Sequence, residues 1–122
     1  MNVYGAVIVI WGEKMLFRPE HIKLIASGCK TATRRLWKKT HAKPNGVYPV
    51  QIRMFQPRKD CSAFIRATTV YQQRLGDMTE KDADKEGGYT LKEFKRVFED
   101  ITKTKWEDDL VVWVIEFRIE GG

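Results

Sequence analysis

Residues 110–119 restrict the fold more than any other segment, because a large apolar side chain recurs at every second position from 113 onward. Successive side chains of a β-strand point to opposite faces of its sheet. The spacing therefore predicts a strand with one apolar face, formed by Trp113, Ile115, Phe117 and Ile119. A strand of this length needs neighbours, so we expect the chain to build a sheet around it.

Three other segments have the composition of strands. Residues 3–11 contain a run of large apolar side chains, and residues 63–71 are rich in β-branched and aromatic residues. Residues 47–55 follow a Pro-Asn-Gly turn signal, and Pro49 favours an edge position or a bulge because proline cannot donate to a ladder. We predict that the 3–11 strand pairs with the same sheet, since its apolar side chains would otherwise be exposed.

The helical segments are short and carry start and stop signals. Residues 19–26 have proline in the first turn and stop before Gly28, and residues 79–86 form an acidic helix that stops at a glycine pair. Thr90 and Glu93 have the spacing of a capping box. The helix that they open has an apolar stripe, made of Leu91, Phe94, Val97, Phe98 and Ile101. These elements predict an α+β fold with short flanking helices.

Length and residue types indicate one intracellular domain. The 122 residues are 43% hydrophobic, enough for a single core, and no apolar run is long enough to cross a membrane. We divide the chain into an N-terminal strand or extension, residues 1–14, and one domain, residues 15–122. The two cysteines and two histidines lack the spacing of a metal site or a disulfide framework. We expect a monomer in the reducing cytoplasm, with no metal and no cofactor.

The net charge of +6 is unevenly distributed along the chain. Residues 18–60 contain eleven Lys or Arg against two acidic residues, whereas residues 76–122 contain eight against thirteen. Trp37, Tyr48 and Phe55 lie within the basic half, and this mixture is typical of surfaces that neutralise phosphates and stack bases. Charge alone leaves two interpretations open: a surface for nucleic acid or a nucleotide, or a solvated basic face that favours solubility.

Residues 28–35, GCKTATRR, follow the first predicted helix and contain no apolar side chain larger than Ala32. Such a segment is a surface, binding or reactive loop. It resembles the G-x-K-x-x-T-x-R signature of the ASCH domain family, and residues 74–80 with the acidic helix after them resemble a second segment of that family. The resemblance covers about residues 15–119. It implies a small β-barrel similar to the PUA fold, with short flanking helices.

The resemblance also implies an activity, because some members of the family hydrolyse the amide of N4-acylated cytidines. The positions that match their catalytic residues are Lys30 as base, Thr33 as nucleophile and Glu86 as acid. A threonine hydroxyl is a weak nucleophile, and a neutral lysine can activate it if the lysine pKa is lowered. Arg34 and Arg35 would lower that pKa by repulsion. A direct pair between Lys30 and Glu86 would oppose both this change and protonation of Glu86.

Other members of the family are linked to RNA, and the basic half supports this alternative. The residues expected to contact RNA or a modified nucleoside are Arg34, Arg35, Trp37, Lys38, Lys39 and Lys43. Three hypotheses follow: an acylcytidine amide hydrolase, a non-catalytic RNA-binding module that uses the same cleft, and a ribonuclease. The ribonuclease is disfavoured because the matched motifs contain no histidine. The hydrolase requires Lys30, Thr33 and Glu86 to converge on one cleft.

Overall fold

The computed structural model describes residues 15–52, 56–61 and 63–120. The strands within these residues are β1 (Met15–Leu16), β2 (Ala32–Arg35), β3 (Val47–Gln51), β4 (Phe64–Arg74) and β5 (Val111–Glu120). The α-helices are α1 (Pro19–Ala26), α2 (Glu80–Gly87) and α3 (Leu91–Thr102). The predicted helices agree with these bounds to within a residue, whereas the predicted strand at residues 3–11 lies outside the described residues.

The five strands form one sheet in the order β1-β3-β4-β5-β2. β1 and β3 are parallel, and the other neighbours are antiparallel. The long β4–β5 pair is the centre of the sheet, and its register shifts between Ala67 and Thr69. The α+β class is therefore confirmed. The described strands do not close into the expected barrel, since β1 and β2 are short strands at the two edges of the sheet.

The two edge strands are joined by a side chain. Arg35, the last residue of β2, donates from Nη2 to the main-chain oxygen of Leu16 in β1 at 2.9 Å. Its guanidinium also lies over the ring of Phe17, 4.7 Å from the centroid. A strand ladder requires backbones about 4.8 Å apart. The inserted guanidinium therefore gives a physical reason why the described sheet stays open at this seam.

Pro49 lies in β3, which is an inner strand of the sheet. Among the described residues, β1 pairs with β3 at Val50 and Gln51. On the other side of β3, Pro49 lies opposite Phe64 of β4. β3 is therefore an inner strand, whereas Pro49 in the sequence favoured an edge position or a bulge.

The inner strand β5 is buried on both faces, which its alternation did not predict. Ile115 and Phe117 belong to a first core cluster with side chains from β1, β3 and α1. Val112 and Val114 belong to a second cluster with α2 and α3. Ile119 was predicted to lie on the apolar face, but it is 45% exposed near the end of the strand. The helices thus cover a face that the alternating pattern left unassigned.

Capping interactions fix the ends of α2 and α3. Thr79 Oγ1 accepts from the amide of Asp82 at 3.1 Å, and Asp82 Oδ2 accepts from the amide of Thr79 at 3.0 Å. α2 ends where Gly88 adopts a φ of +80°, a conformation that glycine tolerates best. The predicted capping box of α3 is also present. No helix in the described part of the chain is long and apolar enough to cross a membrane.

Candidate active site

Backbone hydrogen bonds hold the loop at residues 28–31 against three elements. The amide of Lys30 donates to the last turn of α1 at 3.0 Å, and the amide of Thr31 donates to Lys85 O in α2 at 2.7 Å. Thr31 O in turn accepts from the amide of Phe117 in β5 at 2.9 Å. Gly28 allows the preceding turn with a φ of +84°. The loop therefore places Lys30 beside the C-terminal end of α2.

Glu86 of α2 is the centre of a buried ionic group. Lys30 Nζ donates to Glu86 Oε1 at 2.8 Å and to Glu86 O at 3.1 Å. Arg34 Nη1 donates to Glu86 Oε2 at 2.8 Å. The Lys30 and Glu86 residues are both 2% exposed. Both carboxylate oxygens thus accept hydrogen bonds, one from Lys30 Nζ and one from the Arg34 guanidinium.

Two polar residues that the sequence did not indicate complete this group. Arg34 Nε donates to Gln73 Oε1 at 3.0 Å, and Arg34 Nη2 lies 3.7 Å from Asp82 Oδ1. Gln73 Nε2 donates to Asp82 Oδ2 at 3.3 Å. We call Lys30, Arg34, Gln73, Asp82 and Glu86 the buried charge cluster. Since Asp82 also caps α2, the helix end and the cluster are fixed together.

The environment of Lys30 changes its acidity. Burial lowers the pKa of Lys30 below its usual value, because the ammonium form loses its hydration. The charge and hydrogen bond of Glu86 oppose this change, and the charges of Arg35 and Arg34 add to it. The direction agrees with the requirement for a lysine base. The opposing pair with Glu86 is also the one that the sequence analysis anticipated.

Thr33 is held by its neighbour in β2. Arg35 Nε donates to Thr33 Oγ1 at 3.3 Å, while its Nη2 is bonded to the main chain of β1. Burial lowers the pKa of Arg35 to about 10, so the guanidinium stays charged at neutral pH. Thr33 is 5% exposed. The hydroxyl therefore lies next to a fixed positive charge that cannot remove its proton at neutral pH.

A histidine and tyrosine pair borders the same region. His21 Nε2 lies 3.0 Å from the Tyr89 hydroxyl oxygen, and His21 is 5% exposed. Burial, together with the charge of Lys30, lowers the pKa of His21 to about 4, so the ring is neutral at pH 7. These two residues lie 68 positions apart, and no motif in the sequence pairs them. Their proximity depends on the packing of α1 against the chain after α2.

Lys30, Thr33 and Glu86 line one cavity of about 80 Å³, so the structure brings these three residues together. Its remaining walls are largely apolar and include Trp37 from the loop after β2 and Phe98 from α3. Lys30 Nζ donates to Glu86, and Thr33 Oγ1 accepts from Arg35. Within the described residues, no group of three or more His, Cys, Asp or Glu side chains is arranged to hold a metal ion.

The residues expected to contact RNA divide into buried and exposed groups. Arg34 and Trp37 are buried, at 6% and 5% exposure, and Arg35 is partly buried. Lys38, Lys39 and Lys43 are exposed. The two arginines contact Glu86 and Thr33, as described above, so they support the candidate catalytic residues. The exposed lysines remain available to a ligand at the surface.

Comparison with solved structures relates this architecture to known proteins. The ASCH domain from Lactobacillus crispatus superimposes with a TM-score of 0.65 over 82% of this chain and 70% of its own, at 16% identity. The chain has the ASCH fold. The ASCH protein from Zymomonas mobilis gives a TM-score of 0.57 over 88% of this chain and 68% of its own, at 15% identity.

A protein from Enterococcus faecalis superimposes on this chain with a TM-score of 0.56 over 80% of this chain and 65% of its own, at 21% identity. No protein-family model matches the sequence, and no curated protein matches it. At sequence identities of 15–21%, these comparisons concern the fold of the chain. Activity has to be argued from the residues of the site.

Proposed function

We propose that the chain is a member of the ASCH family that hydrolyses the N4-acyl amide of an acylated cytidine. The observation that carries this proposal is the shared cavity of Lys30, Thr33 and Glu86. It contains a hydroxyl nucleophile, a lysine whose pKa is lowered, and a carboxylate that holds the lysine. Acyl transfer to a hydroxyl requires a nucleophile, a proton acceptor and a proton donor to the leaving nitrogen.

Lys30 is the proton carrier in this mechanism. Its neutral amine accepts the Thr33 hydroxyl proton while Thr33 Oγ1 attacks the acyl carbonyl carbon. The resulting ammonium then gives that proton to N4 as the C–N4 bond breaks, which releases cytidine and leaves the acyl group on Thr33. A water molecule then attacks the acyl ester and gives a proton to Lys30. Lys30 passes this proton to Thr33 Oγ1 as the bond between the acyl carbon and Oγ1 breaks and the carboxylic acid leaves. Lys30 is therefore neutral again at the end of each half of the reaction.

Glu86 positions Lys30 in this mechanism. The resemblance implies Glu86 as the acid, but both of its oxygens accept hydrogen bonds at 2.8 Å, one of them from the Arg34 guanidinium, which favours the ionised form. An ionised carboxylate has no proton to give. It orients Nζ and stabilises the ammonium that forms when Thr33 loses its proton. We therefore assign the proton transfer to Lys30.

Arg35 supports the nucleophile. Its Nε donates to Thr33 Oγ1 at 3.3 Å, which leaves the hydroxyl proton free to point toward a base. A fixed positive charge at this distance stabilises the oxygen as negative charge develops on it. The guanidinium is itself anchored to β1, so it need not reorganise during the reaction. We propose Arg35 as a positioning residue for Thr33.

The test is hydrolysis of N4-acetylcytidine by the pure protein, followed by ultraviolet absorbance. We expect turnover by the unaltered chain and loss of turnover in Thr33→Ala, with the acyl-enzyme detectable by mass spectrometry when Thr33 is present. Thr33→Ser keeps a hydroxyl and should retain measurable activity. A Thr33→Ala variant that folds and turns over as fast as the unaltered chain would exclude Thr33 as the nucleophile.

A non-catalytic RNA-binding function is the second candidate, and the exposure of Lys38, Lys39 and Lys43 favours it. Phosphates are bound by exposed cations through release of counterions. If the chain binds RNA but no acylated cytidine is turned over, this candidate replaces the hydrolase. Both candidates place nucleic acid chemistry on the basic half of the chain.

A further inference from the structure

A second cavity, of about 510 Å³, lies against the segment that follows β2. It is lined by residues 40–43 and 46–48 and by Arg58, and we call it the basic groove. Its size is within the range of ligand sites, about 300–1,000 Å³. Lys43 and Arg58 are exposed, and no acidic side chain is among the lining residues. The groove therefore has the size and charge for an anionic ligand.

The cations of the basic groove are available to a ligand. Neither Lys43 nor Arg58 forms an ion pair with any acidic residue in the described part of the chain. The Arg58 guanidinium lies 5.3 Å from the centroid of the Phe64 ring, which limits its freedom. A positioned guanidinium loses less entropy on binding a phosphate.

Polar groups inside the basic groove also lack acceptors. The Tyr48 hydroxyl oxygen accepts from the amide of Lys43 at 2.7 Å, which leaves its hydrogen free to donate, and Tyr48 is 9% exposed. His41 Nε2 is buried and has no hydrogen-bond partner among the described residues. Buried polar atoms are normally satisfied. A phosphate oxygen would accept from the Tyr48 hydroxyl and from the two cations together.

The basic groove adjoins the first cavity. Trp37 lines the first cavity, His41 lines the groove, and their rings meet edge to face with centroids 5.0 Å apart. The first cavity, at about 80 Å³, is far below the size of sites that enclose a whole ligand of nucleoside size. It has room for an acyl-amide group, so the remainder of a nucleoside must lie outside it.

We propose that the basic groove binds the phosphodiester backbone of single-stranded RNA, so that the substrate is an acylated cytidine within an RNA chain. This inference rests on the proposed hydrolase for the identity of the base, whereas the binding of RNA in the groove stands independently of catalysis. The strand must be single because N4 of cytosine lies on the pairing edge. A base has to leave a duplex before an enzyme can act there.

Binding is tested with a fluorescent single-stranded RNA of about eight nucleotides, within the usual span of such sites. Lys43→Ala with Arg58→Ala removes both groove cations. The matched control, Lys92→Ala with Arg96→Ala, makes the same charge change on two exposed residues of α3. We expect about a tenfold or larger loss of affinity in the groove variant, because charged hydrogen bonds are lost, and little change in the control.

Salt dependence separates phosphate contacts from other binding. Each phosphate contact with a single strand contributes about 0.7 to the slope of log affinity against log salt. The groove variant should therefore lose about 1.4 from this slope, and the control should keep it. Equal losses of affinity and slope in the two variants would overturn the proposal, since net charge alone would then explain binding.

Tyr48→Phe provides a test without any change of charge. It removes the hydroxyl and keeps the ring in the core, so affinity should fall severalfold while far-ultraviolet circular dichroism stays the same. Poly-glutamate and inorganic phosphate serve as competitors. Displacement of the RNA by poly-glutamate at equal charge concentration would show a general polyanion surface and overturn the assignment to RNA. Displacement by phosphate only at high concentration is the expected result.

Hydrolysis separates the two proposals. N4-acetylcytidine is supplied free and within the same RNA, and kcat/KM is measured for both substrates. We expect the ratio of RNA to free nucleoside to exceed one and to fall about tenfold in the groove variant, as expected for lost charged hydrogen bonds. If RNA binding depends on the groove but neither substrate is turned over, the hydrolase proposal is wrong and the RNA-binding proposal stands. If both substrates are turned over and the groove variant does not change the ratio of their kcat/KM values, the RNA-binding proposal is wrong and the hydrolase proposal stands.

Discussion

The buried charge cluster and the basic groove use the same kinds of side chain in opposite ways. In the cluster, Lys30 and Arg34 each lie 2.8 Å from a Glu86 oxygen and are almost fully buried. In the groove, Lys43 and Arg58 are exposed and have no acidic partner within the described residues. Both paired, buried cations are fixed in place, and burial lowers the pKa of Lys30. An exposed cation without a partner is available to a ligand.

Glu86→Gln should produce the largest effect, because it leaves Lys30 buried without a counter-charge and leaves Arg34 only the Asp82 carboxylate, 3.7 Å away. Loss of one member of a buried ion pair costs about 3–5 kcal/mol of unfolding free energy. Glu120→Gln is the control, since Glu120 pairs with Arg66 at 2.7 Å near the surface. Solvent screens an exposed pair of this kind, so its loss should change the free energy of unfolding little.

Urea denaturation followed by tryptophan fluorescence measures both variants. Similar losses of unfolding free energy in the two would mean that burial gives the cluster no special contribution to stability.

Lys30→Met should lower kcat/KM for N4-acetylcytidine about a thousandfold, because the hydroxyl then has no base. Lys30→Arg distinguishes a role of Lys30 as a base from a role of its positive charge. It keeps a positive charge beside Glu86, but a guanidinium does not give up its proton at neutral pH. We expect Lys30→Arg to be as inactive as Lys30→Met and more stable. Substantial turnover by Lys30→Arg would assign Lys30 an electrostatic role instead of a proton-transfer role.

His21 should make the cavity region sensitive to acid. Its pKa is lowered from 6.5 to about 4, so between these values the unfolded chain binds a proton that the folded chain does not. This contribution to stability is complete above pH 6.5 and decreases as the pH falls toward 4, by about 1–2 kcal/mol after allowance for hydration of the ring. The charged or titratable groups that affect His21 are Lys30, Glu86, Glu20, Arg18 and Tyr89.

Chemical denaturation from pH 7 to pH 4.5 tests this prediction on His21→Gln and on the control His41→Asn. The pKa of His41 is also lowered by burial, but this residue lies in the basic groove. A flatter pH profile in His21→Gln, relative to both the unaltered chain and the control, is expected. An unchanged profile would mean that His21 does not set the acid sensitivity.

The smallest effect is expected for Lys38→Ala with Lys39→Ala. Both lysines are exposed but are not among the residues that line the basic groove. They should contribute to RNA binding at longer range, with a loss of affinity of about two- to fourfold and a salt slope reduced by less than 1.4. Titration of the labelled RNA at several salt concentrations measures both quantities. A loss larger than that of the groove variant would move the RNA path to residues 38 and 39.

Sequence patterns predicted the local elements better than the contacts between them. The bounds of α1 and the capping box of α3 follow from Pro19 and Thr90, because these signals act within one turn of helix. The positions of Lys30, Thr33 and Glu86 on one cavity agree with the resemblance. The resemblance matched residue types at these positions, and the structure supplies their distances and partners.

Three features depended on residues far apart in the sequence and were not predicted. Asp82 was expected to lie only in an acidic helix, but it also borders the Arg34 guanidinium. The contact between His21 and Tyr89 spans 68 positions. The alternation of β5 could not show that helices cover its second face, because Val112 and Val114 suit a strand in either environment.

The separation of Lys30 and Glu86 in the sequence also has a consequence for how the chain folds. These residues are 56 positions apart, and Arg34 and Glu86 are 52 apart. Closing so long a loop early costs more chain entropy than forming a helix turn or a neighbouring strand pair. We therefore expect the ionic contacts of Glu86 to form late in folding, after α1 and α2 have docked on the sheet. A nascent chain released before residue 86 has been synthesised contains the threonine and the lysine but no assembled catalytic group.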